Sequence, residues 1–153
     1  MKLFKKIFLF ILVGFIGIQF IRPSYNTSEK VLSTDILSVI TVPGNIENIL
    51  KSACYDCHSN NTRYPWYMNV QPMGWMMAKH INEGKGNLNF SEFGMYTKRK
   101  QANKLRAIAT SIKEGSMPIR SYTIMHPDSK LNDDDKKTVV AWATKTRDSL
   151  LKN

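Results

Sequence analysis

The chain has 153 residues, a formal net charge of +10 and 42% hydrophobic residues, which suits one small globular domain. Both cysteines lie in a single short motif, so there is no second Cys/His pair to complete a zinc site. The basic balance indicates an acidic partner protein or anionic lipid headgroups, although an ordinary solvated basic surface accounts for it at least as well.

The N-terminus has the pattern of an export signal. Lys2, Lys5 and Lys6 precede an apolar run over residues 7–21, and no small-residue cleavage site follows it. We therefore expect residues 1–22 to form an uncleaved signal anchor, a single transmembrane helix in a bacterial inner membrane. The lysines place the N-terminus in the cytoplasm and the rest of the chain in the periplasm. Nucleic acid is excluded as a partner because that compartment lacks it.

Residues 23–42 show only weak periodicity of apolar residues, which is typical of a flexible tether. We expect residues 43–153 to form the folded domain. Apolar spacing predicts helices over about 45–58, 71–83 and 97–114, with Gly84, Gly86 and the asparagines around them ending the second. A last helix begins after Asn132, an N-cap residue followed by three aspartates. No strand pattern stands out. The sequence therefore predicts an all-α, cytochrome-c-like helical domain preceded by the membrane helix.

The first of these helices carries Cys54-Tyr55-Asp56-Cys57-His58, a C-x-x-C-H motif. Residues at i and i+3 share a helix face, so Cys54 and Cys57 can bind the vinyl groups at one edge of a porphyrin, and His58 can bind its iron. A thioredoxin-like C-x-x-C would need a βαβ context, which is missing here. The motif predicts one covalent haem c with His58 as proximal iron ligand.

The second axial ligand is left open by the residues alone. Met117 is the first candidate, because it precedes Pro118 on a loop before the last helix. His80, in the middle of a predicted helix, would give bis-His ligation, and His126 is better suited to a hydrogen bond. An open iron is the remaining alternative.

Arginine and aromatic residues are candidates for the surroundings of the haem. Arg63 and Arg120 could bind propionates through their guanidinium forks, or could be solvated surface residues. Aromatic side chains are candidates for the wall, although most would be core residues in any helical domain: Trp66, Trp75, Phe90, Phe93 and Trp142.

Several motifs together resemble the small bacterial haem-binding domain family, whose members are membrane-anchored and similar to c-type cytochromes. The matching residues are Gln19-Phe20-Ile21-Arg22-Pro23, Cys54 to His58 with Ser59-Asn60, Thr62-Arg63-Tyr64-Pro65-Trp66-Tyr67, Trp75, His80, Gly84, Leu88-Asn89-Phe90-Ser91-Glu92, Met117-Pro118, Tyr122, His126-Pro127, Leu131 and Trp142. Phe93 departs from the tryptophan usual there. The resemblance implies haem on Cys54 and Cys57 with His58 as an axial ligand.

The predicted function is single-electron transfer by a membrane-anchored monohaem c-type cytochrome, with a redox protein of the cell envelope as partner and the cytochrome c maturation machinery to attach the haem. A haem enzyme of peroxidase type is the first alternative; it would need an open iron and an acid/base group such as His80 or His126. A haem-based redox or gas sensor is the second, and it would need an output element.

Overall fold

The structure is a computed structural model that describes residues 2–28 and 30–152. Eight α-helices follow one another along these residues, joined by turns and short 3₁₀ segments. They are α1 (Lys2–Ile18), α2 (Ile36–Val39), α3 (Gly44–Ala53), α4 (Tyr55–His58), α5 (Met73–Asn87), α6 (Lys98–Lys113), α7 (Arg120–Met125) and α8 (Asp133–Lys152). The 3₁₀ segments are Trp66–Asn69, Phe90–Met95 and Pro127–Ser129. Apart from one isolated bridge between Thr27 and Asn61, the described residues contain no extended pairing, which confirms the all-α prediction.

The predicted transmembrane helix is wrong. Among the described residues, no helix is both long enough and apolar enough to cross a membrane. The N-terminal helix α1 has 17 residues, which at 1.5 Å per residue is about 25 Å against a hydrocarbon core of about 30 Å. This finding also overturns the predicted location, a single-pass inner-membrane protein with a cytoplasmic N-terminus and a periplasmic domain.

The main core is formed by the long helices. α6 packs along α8, and their apolar stripes bury Leu105, Ile112 and Val139. Leu50 of α3 joins the same cluster, together with Phe90 and Phe93 from the 3₁₀ segment after α5. The buried residues of α6 recur at three-to-four spacing, as expected for an amphipathic helix that packs against a neighbour: Ala102, Leu105, Ala109 and Ile112.

Helix termini follow the local sequence. The Asn132 side chain accepts hydrogen bonds from the backbone of Asp134 and Asp135 at 2.9 and 2.8 Å, which confirms the predicted cap of the last helix. Thr97 caps α6 in the same way through the backbone N–H of Lys100. α3 begins at Gly44, after Pro43, one residue before the start predicted from the sequence.

The segment between α1 and α3 lies against the helical domain. Ile36 is fully buried in the main core, and Asp35 caps α2 and accepts a hydrogen bond from the Tyr55 hydroxyl at 2.8 Å. Further upstream, Asn26 and Ser28 pair with the backbone that follows the C-x-x-C-H motif. The expected boundaries at 22 and 42 stay a prediction, but residues on both sides of residue 42 share one core.

Candidate haem-binding site

The C-x-x-C-H motif lies at a break between two helices. α3 ends at Ala53, and Cys54 leaves the helical conformation before α4 resumes at Tyr55. The backbone N–H groups of Cys57 and His58 then bond to the Cys54 carbonyl at 3.2 and 2.9 Å. This tight turn carries both thiols and the imidazole on one short element. Both cysteines are free thiols and partly buried.

His58 is held by two backbone carbonyls from the end of α5. Its Nδ1 lies 3.0 Å from the carbonyl oxygen of Gly84 and 3.0 Å from that of Leu88. Both partners are acceptors, so Nδ1 carries the proton and Nε2 is left as the basic nitrogen. Burial lowers the pKa of His58, which keeps the ring neutral. A neutral imidazole fixed through Nδ1 is the form that binds a metal through Nε2.

Gly84 allows α5 to approach the motif closely. A Cβ atom at this position would run into the backbone carbonyl of Cys57. The helix therefore continues through Gly84 and Gly86 and ends at Asn87, so the predicted role of the two glycines is wrong, whereas an asparagine does lie at the end as predicted. The glycine is needed because the two backbones touch, which puts the Gly84 carbonyl within reach of His58.

Asp56, the second variable residue of the motif, is a buried anchor with 3% exposure. Its carboxylate accepts hydrogen bonds from the Tyr122 hydroxyl at 2.6 Å, from the Arg63 backbone at 3.1 Å and from the Arg63 guanidinium at 3.2 Å. Its own carbonyl accepts from Thr62. Burial and the hydrogen bond to Asp56 raise the pKa of Tyr122, so the phenol stays protonated and donates. The Asp56 carboxylate thus joins the C-x-x-C-H motif to α7 through Tyr122.

Tyr122 in turn packs against a second polar pair. The His126 ring stacks on the Tyr122 ring with centroids 4.3 Å apart, and His126 Nε2 lies 2.6 Å from the Tyr67 hydroxyl. His126 therefore has the hydrogen-bonding role expected for it. Through these contacts the C-x-x-C-H motif, the Trp66–Asn69 segment and α7 are held together.

A polar network fixes the four residues that follow the motif. Ser59 bonds to Asn61, Asn60 accepts from Asn89, and the Asn60 backbone donates to Ser91. From the other side, the Asn26 side chain donates to the Ser59 carbonyl at 2.8 Å and to Thr62 at 2.9 Å. These bonds satisfy buried polar groups close to the site and hold the chain rigid there.

The two thiols lie in surroundings that keep them protonated. Burial raises the pKa of Cys54 to about 12, with a further contribution from Cys57. Burial and the negative charge of Asp56 raise the pKa of Cys57 to about 11. A redox-active C-x-x-C pair instead lowers the pKa of its attacking thiol. The environment therefore disfavours thioredoxin-like chemistry.

Three motif residues, Cys54, Cys57 and His58, line one cavity of about 460 Å³. This volume is in the size range of small-molecule and cofactor sites. α5 and α6 supply two walls, each by residues at helical spacing. The lining residues are Ala53, Cys54, Cys57, His58, His80, Glu83, Gly84, Asn87, Leu88, Phe90, Lys104, Ala107, Ile108, Ser111, Ile112, Met117, Pro118, Ile119, Tyr122 and Leu131. Most of this surface is apolar, as a porphyrin face requires.

Met117 reaches the cavity because α6 ends in a defined way. Gly115, with φ of 69°, bonds to the Ile112 carbonyl, while Ser116 and Met117 both bond to the Ser111 carbonyl at 3.0 and 3.3 Å. This is the Schellman arrangement, which reverses the chain directly after the helix. It returns Met117 over the last turn of α6, where it lines the cavity at 40% exposure. His80 lines the same cavity from α5.

The structure brings together five of the predicted site residues and leaves three outside. Cys54, Cys57, His58, His80 and Met117 all line the cavity. The other three predicted residues are described by the structure but do not line it: Arg63, Trp66 and Arg120.

Each of these three has a different setting. The Arg63 guanidinium bonds to Asp56, the Trp66 side chain is 78% exposed, and Arg120 is an exposed residue at the first turn of α7. A haem contact by any of them stays a prediction. Of the five candidate wall residues, only Phe90 lines the cavity.

The donor set and the walls of the cavity fit a haem. Two protonated thiols and a neutral imidazole are the groups that a c-type motif requires, and apolar side chains surround them. A family model described as the haem-binding domain matches residues 13–145.

The chain belongs to this family. The match covers most of the described residues, including every residue that lines the cavity, and it confirms the resemblance inferred from the sequence motifs. No curated protein and no solved structure matches the chain. This haem-binding domain is therefore a haem protein, and the cavity between α4, α5 and α6 is its candidate haem site.

Proposed function

We propose that this haem-binding domain is a monohaem c-type protein that transfers single electrons. Cys54 and Cys57 hold the porphyrin through thioethers, and His58 binds the iron. The observation that supports this most strongly is the setting of His58, which lines the cavity beside both thiols while its Nδ1 bonds to two carbonyls. Only Nε2 remains for a metal.

When bound, the haem iron supplies a one-electron redox couple. The chain's own residues determine how it is held. The two thiols would hold the porphyrin through thioethers, each formed by addition of the S–H across a vinyl group, and a cytochrome c maturation machinery would carry out this attachment. The carbonyls of Gly84 and Leu88 orient the imidazole of His58 and raise its basicity as a ligand.

Met117 is proposed as the second axial ligand. Its support is its place on the rigid turn after α6, at the wall of the cavity. A ligand that the fold has already ordered loses little entropy when it binds, and a thioether ligand raises the reduction potential. His80 lines the same cavity and is the alternative, which would give bis-His ligation.

Electron transfer rather than substrate chemistry is favoured by the surroundings of the site. The walls are mostly apolar, and the hydrogen bonds around the motif fix its residues, so little reorganisation accompanies a change of charge. Cys57 is only partly buried, so the edge of a haem attached there would lie close to the surface. A redox protein is the proposed partner.

The test is the visible spectrum of the oxidised and reduced full-length protein, produced in a host with cytochrome c maturation. We expect a low-spin wild type with a weak sulfur-to-iron band, and loss of that band in Met117→Ala. Met125→Ala is the matched control, because Met125 is similarly exposed but does not line the cavity. A low-spin spectrum that survives Met117→Ala would assign the ligand to His80. A high-spin wild type that binds carbon monoxide rapidly would contradict the electron-transfer proposal.

A further inference from the structure

One cation lies in the wall of an otherwise largely apolar cavity. Of the described residues that line it, Lys104 is the only lysine or arginine. A haem carries propionate carboxylates, and burying a carboxylate without a partner is costly. We propose that the Lys104 ammonium binds a haem propionate, so that α6 rather than an arginine elsewhere neutralises that charge. This inference rests on the proposed place of the haem in this cavity.

The position of Lys104 on α6 suits that role. Ile108 follows one turn later, and Ser111 and Ile112 follow one turn after that, and all of them line the cavity. Lys104 therefore ends a stripe of α6 residues that faces the cavity. Its side chain is partly exposed, so the stem can pack on the apolar wall while the ammonium reaches the polar end of a ligand.

The ammonium of Lys104 is not engaged elsewhere. Within residues 2–28 and 30–152 it forms neither a hydrogen bond nor an ion pair. Helix α6 contains no aspartate or glutamate that could compete for it. Lys100, one turn earlier, lies over the Tyr96 ring at 4.1 Å. Like charges one turn apart destabilise a helix, and an anion bound at Lys104 would relieve this repulsion.

The other polar groups of the cavity are poorer partners for a carboxylate. Glu83 is itself an anion and lies 3.9 Å from Lys79. The Asn87 amide already donates to the Glu83 carbonyl at 3.0 Å. Outside the cavity, the Arg63 guanidinium is bound to Asp56. Lys104 is the charged donor that remains available.

The experiment compares the covalent holoprotein with Lys104→Gln, Lys104→Met and Lys104→Arg, all as full chains. Lys113→Gln is the matched control, because it removes a charge from the same helix at a residue outside the cavity. Resonance Raman spectroscopy records the propionate bending band, which responds to hydrogen bonding of the carboxylate. A redox titration measures the midpoint potential.

We expect the band to shift in Lys104→Gln and Lys104→Met and to stay unchanged in Lys104→Arg and Lys113→Gln. The potential should fall in the two neutral variants, because a cation near the haem favours the reduced iron. The same band and potential in Lys104→Gln, Lys104→Met and Lys113→Gln would overturn the inference. So would a change of axial ligand in the visible spectrum of Lys104→Gln, which would make Lys104 an iron ligand.

The two proposals fail in different ways. If the wild-type chain holds no thioether-bound haem, the proposed function is wrong and the role of Lys104 falls with it. If the wild type holds the haem but the propionate band is the same in the wild type and in the Lys104 variants, the proposed function stands. Only the inference about Lys104 is then wrong.

Discussion

The hydroxyl of Tyr122 donates a 2.6 Å hydrogen bond to the carboxylate of Asp56, joining α7 to the C-x-x-C-H motif across 66 positions of the chain. Both residues are buried, and Asp56 also binds Arg63. Because Asp56 stands between Cys54 and Cys57 in the sequence, this hydrogen bond fixes the short turn that carries both thiols.

Removing the Tyr122 hydroxyl should therefore destabilise the fold. Tyr122→Phe leaves a buried carboxylate short of one donor, which costs about 1–3 kcal/mol. Urea unfolding followed by circular dichroism measures the loss. Tyr25→Phe is the control, because the Tyr25 hydroxyl makes an exposed hydrogen bond to Asn69. Equal stability of the two variants would contradict the role given to Asp56 as an anchor.

Two glycines of α5 provide a second comparison. At Gly84 a methyl group would meet the Cys57 carbonyl, whereas at Gly86 nothing lies within 4 Å. Gly84→Ala should separate α5 from the motif and destabilise the protein by about 1–3 kcal/mol. Gly86→Ala should leave it unchanged or raise stability by about 0.5–1 kcal/mol, because alanine favours a helix.

The readout for both variants is the free energy of unfolding together with the yield of attached haem. Because His58 bonds to the Gly84 carbonyl, the Gly84 variant should also lose haem yield. If Gly84→Ala matched Gly86→Ala in both measurements, the close approach of the two backbones would be wrong.

The raised pKa values of the thiols predict slow alkylation of the haem-free folded chain. Only the thiolate reacts, and a pKa of about 12 for Cys54 and about 11 for Cys57 leaves very little of it at pH 8. Each unit of pKa lowers the thiolate fraction about tenfold, so after unfolding in urea iodoacetamide should react about a hundredfold faster at Cys57 and about a thousandfold faster at Cys54.

Mass spectrometry of digested peptides gives the rate at each cysteine, with Cys54 expected to be the slower of the two. The reaction at Cys57 should accelerate as the pH rises toward 11, where that thiol deprotonates, and the reaction at Cys54 should follow about one pH unit higher. Equal rates in the folded and unfolded chain at pH 8 would show that neither thiol is shielded.

The sequence revealed the parts of this site that depend on local spacing. The C-x-x-C-H motif, the amphipathic pattern of α6 and the Asn132 cap are each encoded within a few neighbouring residues, and the fold has a helix at each. Met117 was found from its loop context, and the turn at Gly115 does bring it to the cavity.

Contacts between distant residues were missed, because a pattern of neighbours does not encode them. Tyr122 was known only as part of the family resemblance, and its bond to Asp56 depends on how α7 folds back. Gly84 looked like a helix terminator, although the glycine serves a close contact inside the helix. Lys104 could have been found from its spacing to Ile108 and Ile112 on the cavity face of α6.

The apolar N-terminal run led to a wrong prediction of a transmembrane helix. Hydropathy over residues 7–21 suggested a membrane span, but the helix ends at Ile18, and Gln19 bonds to the backbone of Gln71 before α5.

Covalent attachment of haem is tested most directly by the intact mass of the full-length protein, made with cytochrome c maturation and denatured before mass spectrometry. We expect the mass of the polypeptide plus one haem for the wild type, and the polypeptide mass alone for Cys54→Ala combined with Cys57→Ala. A wild type without the added haem mass, or a double variant that keeps it, would contradict covalent attachment at this motif.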